Sequence, residues 1–190
     1  MSTLRVLESY PMARLYFTGI KHSGKTLMAK LSSRILGLSA ADADDLALPL
    51  LGGLTVREYY KANGKDAFNE RQLKAVRDYA SGHPEGVISL GGGAVEDKAL
   101  MEYVKETGKL VYLRRDEREM FPFVIEHGIP AFLDPMDLEG SFHKVYQRRD
   151  ALNLEAADLV IELGPYGDKQ ETAMKVVQAL KEAGYVKLDR

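Results

Sequence analysis

The sequence predicts an α/β fold: a five-stranded parallel sheet with helices on both faces. Three observations carry this expectation. Short apolar runs alternate with stretches of helical apolar spacing along the 190 residues, and such alternation builds parallel sheets covered on both sides. A glycine-bearing segment, Gly19-Ile20-Lys21-His22-Ser23-Gly24-Lys25-Thr26, joins the first apolar run to the first helical one. A second cluster, Gly91-Gly92-Gly93, closes a later apolar run. The length suits one domain over residues 1–190, large enough to bury a core without staples, with residues 1–13 as an N-terminal extension.

Taken in order, residues 14–17 form the first strand, being apolar and short, and residues 25–36 the first helix. Residues 38–41 are a weaker second strand because they are small and partly polar. Two helical stretches follow, 56–63 and 69–81, then a strand at 87–90, a helix at 97–107 and a strand at 110–113. Residues 126–140 contain Gly128, Pro130, Pro135 and Gly140 and show no regular period. They are expected to form a mobile lid over the site, with a plain surface connection as the alternative. A helix at 141–156, a strand at 159–163 and a last helix at 169–183 complete the chain. In that last helix Met174, Val177, Ala179 and Leu180 are expected to face inward before Gly184 stops it.

Composition narrows the function. With 26 basic and 28 acidic residues the formal charge is −2, which gives no broad attraction to nucleic acid or membranes. The absence of cysteine excludes disulfides, thiolate metal sites and cysteine nucleophiles. Residues 1–13 carry Arg5 and Glu8 and do not read as a signal peptide, and no apolar run is long enough to cross a bilayer. The expectation is a cytoplasmic protein with no obligate protein partner evident.

The first glycine segment fits the pattern G-x-x-x-x-G-K-[ST]. Its backbone N–H groups can curl around phosphate oxygens, and the following helix offers its positive end to the same anion. Lys25 would reach the outer phosphates and the Thr26 hydroxyl would ligate magnesium, so ATP and Mg2+ are the expected cofactors. Gly19, His22, Ser23, Gly24 and Leu27 complete the candidate nucleotide-binding set.

Further chemistry lies at later strand ends. Asp42, Asp44 and Asp45 follow the second strand, whose carboxyl end faces the same crevice as the phosphate loop in an open parallel sheet. Carboxylates there can hold magnesium or accept a hydroxyl proton during phosphoryl transfer. At least one of the three is expected only to cap the next helix. Gly91, Gly92 and Gly93 let a second ligand approach bare backbone N–H groups. Arg148 and Arg149 could offer a planar fork to a carboxylate or phosphate.

Together these elements resemble the shikimate kinase family, from about Leu15 to Leu163. The resemblance implies a P-loop kinase fold with a lid and ATP-dependent phosphorylation of a hydroxyl on a small hydroxy acid, shikimate above all. It implies that Asp42 of Asp42-Ala43-Asp44 serves magnesium and that Asp44 grips and activates the substrate hydroxyl. Catalysis would rest on Lys25 and Asp44. Gly91, Gly92, Gly93 and Arg149, nine residues before Asp158, would bind the acceptor and its carboxylate. Two departures stand out. Asn69 in Gly64-Lys65-Asp66-Ala67-Phe68-Asn69 occupies the position of a second carboxylate-binding arginine, and Ile129 in Gly128-Ile129-Pro130 that of the lid arginine. His127, Lys144 or Arg148 are candidates to replace the latter. A kinase for another polyol or hydroxy acid, and an ATP-binding regulator without transferase activity, are the alternatives.

Overall fold

The computed structural model describes residues 14–130 and 132–187; the extension expected at 1–13 lies outside the described residues. Its centre is β1 (Leu15–Thr18), flanked by β3 (Val87–Ser89) and β4 (Lys109–Arg114), with β2 (Ala40–Asp42) and β5 (Leu159–Glu162) at the edges. The order is β2-β3-β1-β4-β5 and every pairing is parallel. All five strands lie within two residues of the sequence-based expectation.

Parallel strands buried on both faces explain the run Leu15-Tyr16-Phe17, whose three side chains are completely buried. Leu15 and Phe17 pack in the layer with Met28 and Ala29 of α1 (Lys25–Leu36) and Val176 and Leu180 of α7 (Lys169–Glu182). Tyr16 points the other way, among Val76 and Ala80 of α3 (Val56–Gly82) and Leu100 and Val104 of α4 (Lys98–Thr107). Its hydroxyl meets Thr107 Oγ1 at 2.8 Å, so the buried polar end is satisfied. Met174 departs from expectation: it is exposed, while Ala173, Val176, Val177 and Leu180 are buried. Ala173 takes the place given to Met174, because 173, 176, 177 and 180 fall on one face at 3.6 residues per turn.

Several elements were not legible, among them the 3-10 turn Ala94–Glu96. A short α2 (Ala43–Ala47) and a 3-10 turn (Leu48–Leu50) follow β2 directly. The two helices expected at 56–63 and 69–81 join into α3, interrupted where Gly64 takes φ 84° and ψ 178°. Between β4 and the expected lid stands a whole helix, α5 (Glu117–His127), with Pro122 inside it. Proline argues against a helix interior, yet burial of Met120 and Val124 against Phe142 and Tyr146 of α6 (Leu138–Ala156) holds it. Helices therefore claim both ends of the expected lid, and the connection between them covers only residues 128–137. Among the described residues no helix is long and apolar enough to cross a membrane.

Candidate active site

The carboxyl ends of β1, β2 and β3 open onto one cavity of about 560 Å3. Its lining includes His22, Gly24, Lys25, Thr26 and Leu27 on one side and Asp42, Asp44, Gly91 and Gly92 on the other. The phosphate loop takes its expected shape between β1 and α1. His22 and Gly24 have φ of 72° and 95°, the left-handed geometry that turns the loop's N–H groups inward. The loop is braced from within, where Ser23 N–H donates to Ile20 O at 3.0 Å, and from outside, where the Tyr166 hydroxyl donates to His22 O at 3.0 Å. Gly19 does not line the cavity; it packs so tightly that an added Cβ would lie 2.6 Å from Ser23 Oγ. Ser23 does not line the cavity either; its Oγ is buried with no hydrogen-bond partner among the described residues.

Lys25 is the first residue of α1 and is buried, 8 % exposed. Loss of water pulls its pKa down to about 8, although the nearby carboxylates of Asp44 and Asp42 oppose the fall. Thr26 Oγ1 donates to Asp42 Oδ2 at 2.8 Å and lies 3.2 Å from Ser89 Oγ. These hard oxygens suit magnesium, which they would hold together with water and nucleotide phosphate. Asp42 also caps α2, its Oδ1 accepting from Asp44 N–H at 3.0 Å. The capping role expected of an otherwise idle aspartate thus falls to Asp42, whose other oxygen accepts from Thr26. Asp45 is exposed in the first turn of α2.

Asp44 is partly buried and accepts a hydrogen bond from Gln72 Nε2 at 2.6 Å. Burial first, and the charge of Asp42 second, push its carboxyl above the usual range. The triple-glycine turn ties the halves of the site together. A Cβ on Gly91 would lie 3.0 Å from Asp44 Oδ1, one on Gly92 2.8 Å from the Lys21 backbone nitrogen, and one on Gly93 3.2 Å from Arg149 Nη2. The backbone of Gly92 can press on the phosphate loop only because it carries no side chain.

Arg149 stands beside that turn but outside the lining of the cavity. It is buried, with Nη2 3.2 Å from Glu96 Oε2 and Cζ 5.0 Å from the centre of the Phe132 ring. Asn69 is not in the cavity lining either. It sits on α3 four residues after Lys65, which reaches Glu96, and three before Gln72, which reaches Asp44. That spacing sets all three on one helix face. The nearby Arg71 bonds Tyr59 Oη at 3.4 Å on the exposed side.

Of the candidates to replace the lid arginine, none lines the cavity, and only His127 comes near the phosphate loop, across Phe123 from His22. The His127 ring stacks on Phe123 at 3.9 Å, Arg148 is bound to Glu96, and Lys144 is exposed. Ile129 is exposed as well. A different cation lines the cavity: Arg115, 5 % exposed, at the end of β4, with its guanidinium 3.9 Å from the Tyr166 ring and its Nε 3.4 Å from Ser23 O. Arg115, Ser89, Gln72, Tyr166 and Glu96 escaped the sequence reading. Arg115 and Ser89 could have been found by treating every polar residue at the end of a strand as facing the crevice.

Comparison with known proteins agrees with this geometry. The shikimate kinase family model matches residues 21–181. A shikimate kinase of Cupriavidus pinatubonensis is 29% identical over 171 residues, covering 90% of this chain and 88% of that one. A pentafunctional AROM polypeptide of Mycosarcoma maydis is 29% identical over 170 residues, covering 86% of this chain and 9% of that polypeptide. Among solved structures, the shikimate kinase from Acinetobacter baumannii in complex with shikimate has a TM-score of 0.79 at 23% identity. It covers 90% of this chain and 94% of its own, a likeness of fold. With a phosphate loop, an aspartate pair and a triple-glycine turn around one cavity, and a family model matching most of its length, this chain belongs to the shikimate kinase family.

Proposed function

We propose that this protein transfers the γ-phosphoryl group of ATP to a hydroxyl of shikimate, giving ADP and shikimate 3-phosphate. The observation that carries the reading is the convergence, in one cavity, of Lys25, Thr26 and Asp42 with Asp44 and the turn at Gly91 and Gly92. Family membership and the relatives named shikimate kinase support the choice of acceptor.

The phosphate loop binds the nucleotide, with the loop N–H groups on phosphate oxygens. Thr26, Asp42 and Ser89 are the oxygens that would hold magnesium, whose contribution when bound is to neutralise the outer phosphates. Lys25 sets its ammonium on the same phosphates, and binding them restores the proton that burial makes easy to lose. Asp44 orients the acceptor hydroxyl and takes its proton as the new P–O bond forms and the bond to the ADP oxygen breaks. Its raised pKa suits it to hold that proton. Gln72 fixes the Asp44 carboxylate through Oδ1 and leaves Oδ2 for the hydroxyl.

Residues 128–137 act as the cover of the site. His22 Nε2 lies 3.1 Å from Gly128 O, and Phe132 lies over Arg149, so one connection touches both the nucleotide loop and the acceptor side. Arg149 holds the acceptor carboxylate.

The test is ADP release from Mg-ATP with shikimate, followed by mass spectrometry of the acceptor. The expected outcome is shikimate-dependent ADP and a singly phosphorylated product. ADP release that responds to another polyol but not to shikimate overturns the acceptor, and ATP binding without release for any acceptor favours a regulatory protein.

A further inference from the structure

Glu96 closes the 3-10 turn Ala94–Glu96, directly after the triple glycine, and gathers three cations. Its Oε1 receives Arg148 Nε at 2.8 Å and Arg148 Nη2 at 2.7 Å. Its Oε2 receives Arg149 Nη2 at 3.2 Å and lies 3.5 Å from Lys65 Nζ. The two sides of this cluster differ in exposure. The Glu96 and Arg149 side chains are 13% and 10% exposed, whereas Arg148 and Lys65 are 59% and 45% exposed. The Glu96–Arg149 contact is therefore the shielded one, where charge interactions are least screened. Arg149 is only partly satisfied there: its Nε is buried with no hydrogen-bond partner among the described residues.

An arginine half used by an internal carboxylate cannot serve an incoming one freely. A second carboxylate on the same guanidinium meets the charge of the first, and like charges sharing one site disfavour each other's ionised form. The neutral Asn69, on the α3 face that also carries Lys65, brings no second cation to relieve that repulsion. Arg148 and Lys65 meanwhile hold Glu96 from the solvent side, so it does not swing away when Arg149 turns to a ligand.

Resting on the acceptor reading above, we propose that Glu96 is a specificity-determining residue. Its carboxylate competes with that of the acceptor for Arg149 and weakens the preference of the cleft for the acid over the uncharged form of the same alcohol.

The experiment compares shikimate with its methyl ester in wild type, Glu96→Gln and Glu96→Asp. Removing the charge in Glu96→Gln raises the ratio of kcat/KM for acid over ester about fivefold, mainly through a lower KM for the acid. Glu96→Asp keeps the charge, and its ratio stays within about twofold of wild type. A residue that merely positions Arg149 would on losing its charge weaken turnover of the acid and lower the ratio, so an unchanged or lowered ratio in Glu96→Gln overturns the proposal. Glu96→Ala carries the same expectation through a different side chain if the glutamine variant does not fold. If wild type turns over neither acceptor, the proposed reaction fails, and calorimetry of shikimate binding in the absence of ATP then decides. Tighter binding to Glu96→Gln than to wild type supports the role of Glu96, and equal, weaker or undetectable binding in both overturns it.

Discussion

Lys25 enters the site with its ammonium partly stripped of water and a pKa drawn down to about 8. Because the folded value lies below the ordinary lysine value, the charged form is disfavoured in the empty site. The cost that Lys25 adds to folding is fully present below about pH 8 and is relieved as pH rises toward the ordinary lysine value near 10.4. ATP binding runs the other way, since the phosphates require the charged form. Affinity for Mg-ATP is expected to fall from pH 8 to pH 10, with proton uptake on binding above pH 8, both measurable by calorimetry in buffers of different ionisation enthalpy. Lys25→Met should remove both the affinity and this pH dependence. Asn69 supplies a second test at this scale. It lies on the α3 face with Lys65 and Gln72, so Asn69→Arg would add a charged donor beside the acceptor cleft. KM for shikimate should drop by about threefold or more, a charge-assisted contact contributing roughly twice a neutral one. An unchanged KM would show that residue 69 does not reach the acceptor. The motif residues Lys25, Thr26, Asp42 and Asp44 were legible because their spacing is local. Glu96 was not, since its partners Lys65, Arg148 and Arg149 lie 31, 52 and 53 residues away and only the fold unites them.

Among the elements, α6 carries the heaviest constraint. Asn153 accepts from Thr18 Oγ1 at 2.8 Å and donates to the Arg149 carbonyl at 2.8 Å, tying the end of β1 to the helix turn that bears Arg149. One turn along, Asp150 receives Arg114 through Nε at 2.7 Å and Nη2 at 2.9 Å, and Tyr112 through its hydroxyl at 2.7 Å. Burial alone would raise the Asp150 carboxyl, but the bonds from Arg114 and Tyr112 outweigh it and hold it below the usual range. With a folded value below the unfolded one, this contribution is complete above the unfolded pKa, about 4, and is lost as pH falls through the folded value. Asp150→Asn should cost about 2 kcal/mol at neutral pH, because it removes the two-pronged, better shielded partner of Arg114 and leaves it only the exposed Glu162. Urea melts of both proteins should converge as the pH drops below about 4. A constant difference across that range would mean that packing, not charge, sets the cost. The helix α5 shows why elements were missed: Pro122 and the polar Glu117-Arg118-Glu119 start obscure it locally, and burial against α6 decides the outcome.

Across the whole molecule the parallel sheet was the most legible feature, because strands buried on both faces must be apolar throughout, as Leu15-Tyr16-Phe17 is. The order β2-β3-β1-β4-β5 has a functional consequence. It sets the ends of β1, β2 and β3 side by side, so the phosphate loop, the aspartate pair and the triple-glycine turn meet although up to 74 residues separate Gly19 from Gly93. On the proposed reading, the cleft that results joins the phosphate loop to an acceptor side bordered by Arg149, which is shared with Glu96. The central claim is that Asp44 acts on the acceptor hydroxyl across the cavity from Lys25. Steady-state ADP release on titrating shikimate into wild type and Asp44→Asn, with ATP affinity measured on both proteins, tests it most directly. The account predicts a loss in kcat of about a hundredfold or more in Asp44→Asn, with ATP affinity nearly unchanged. Retained turnover in Asp44→Asn, or a parallel loss of ATP binding, would contradict it.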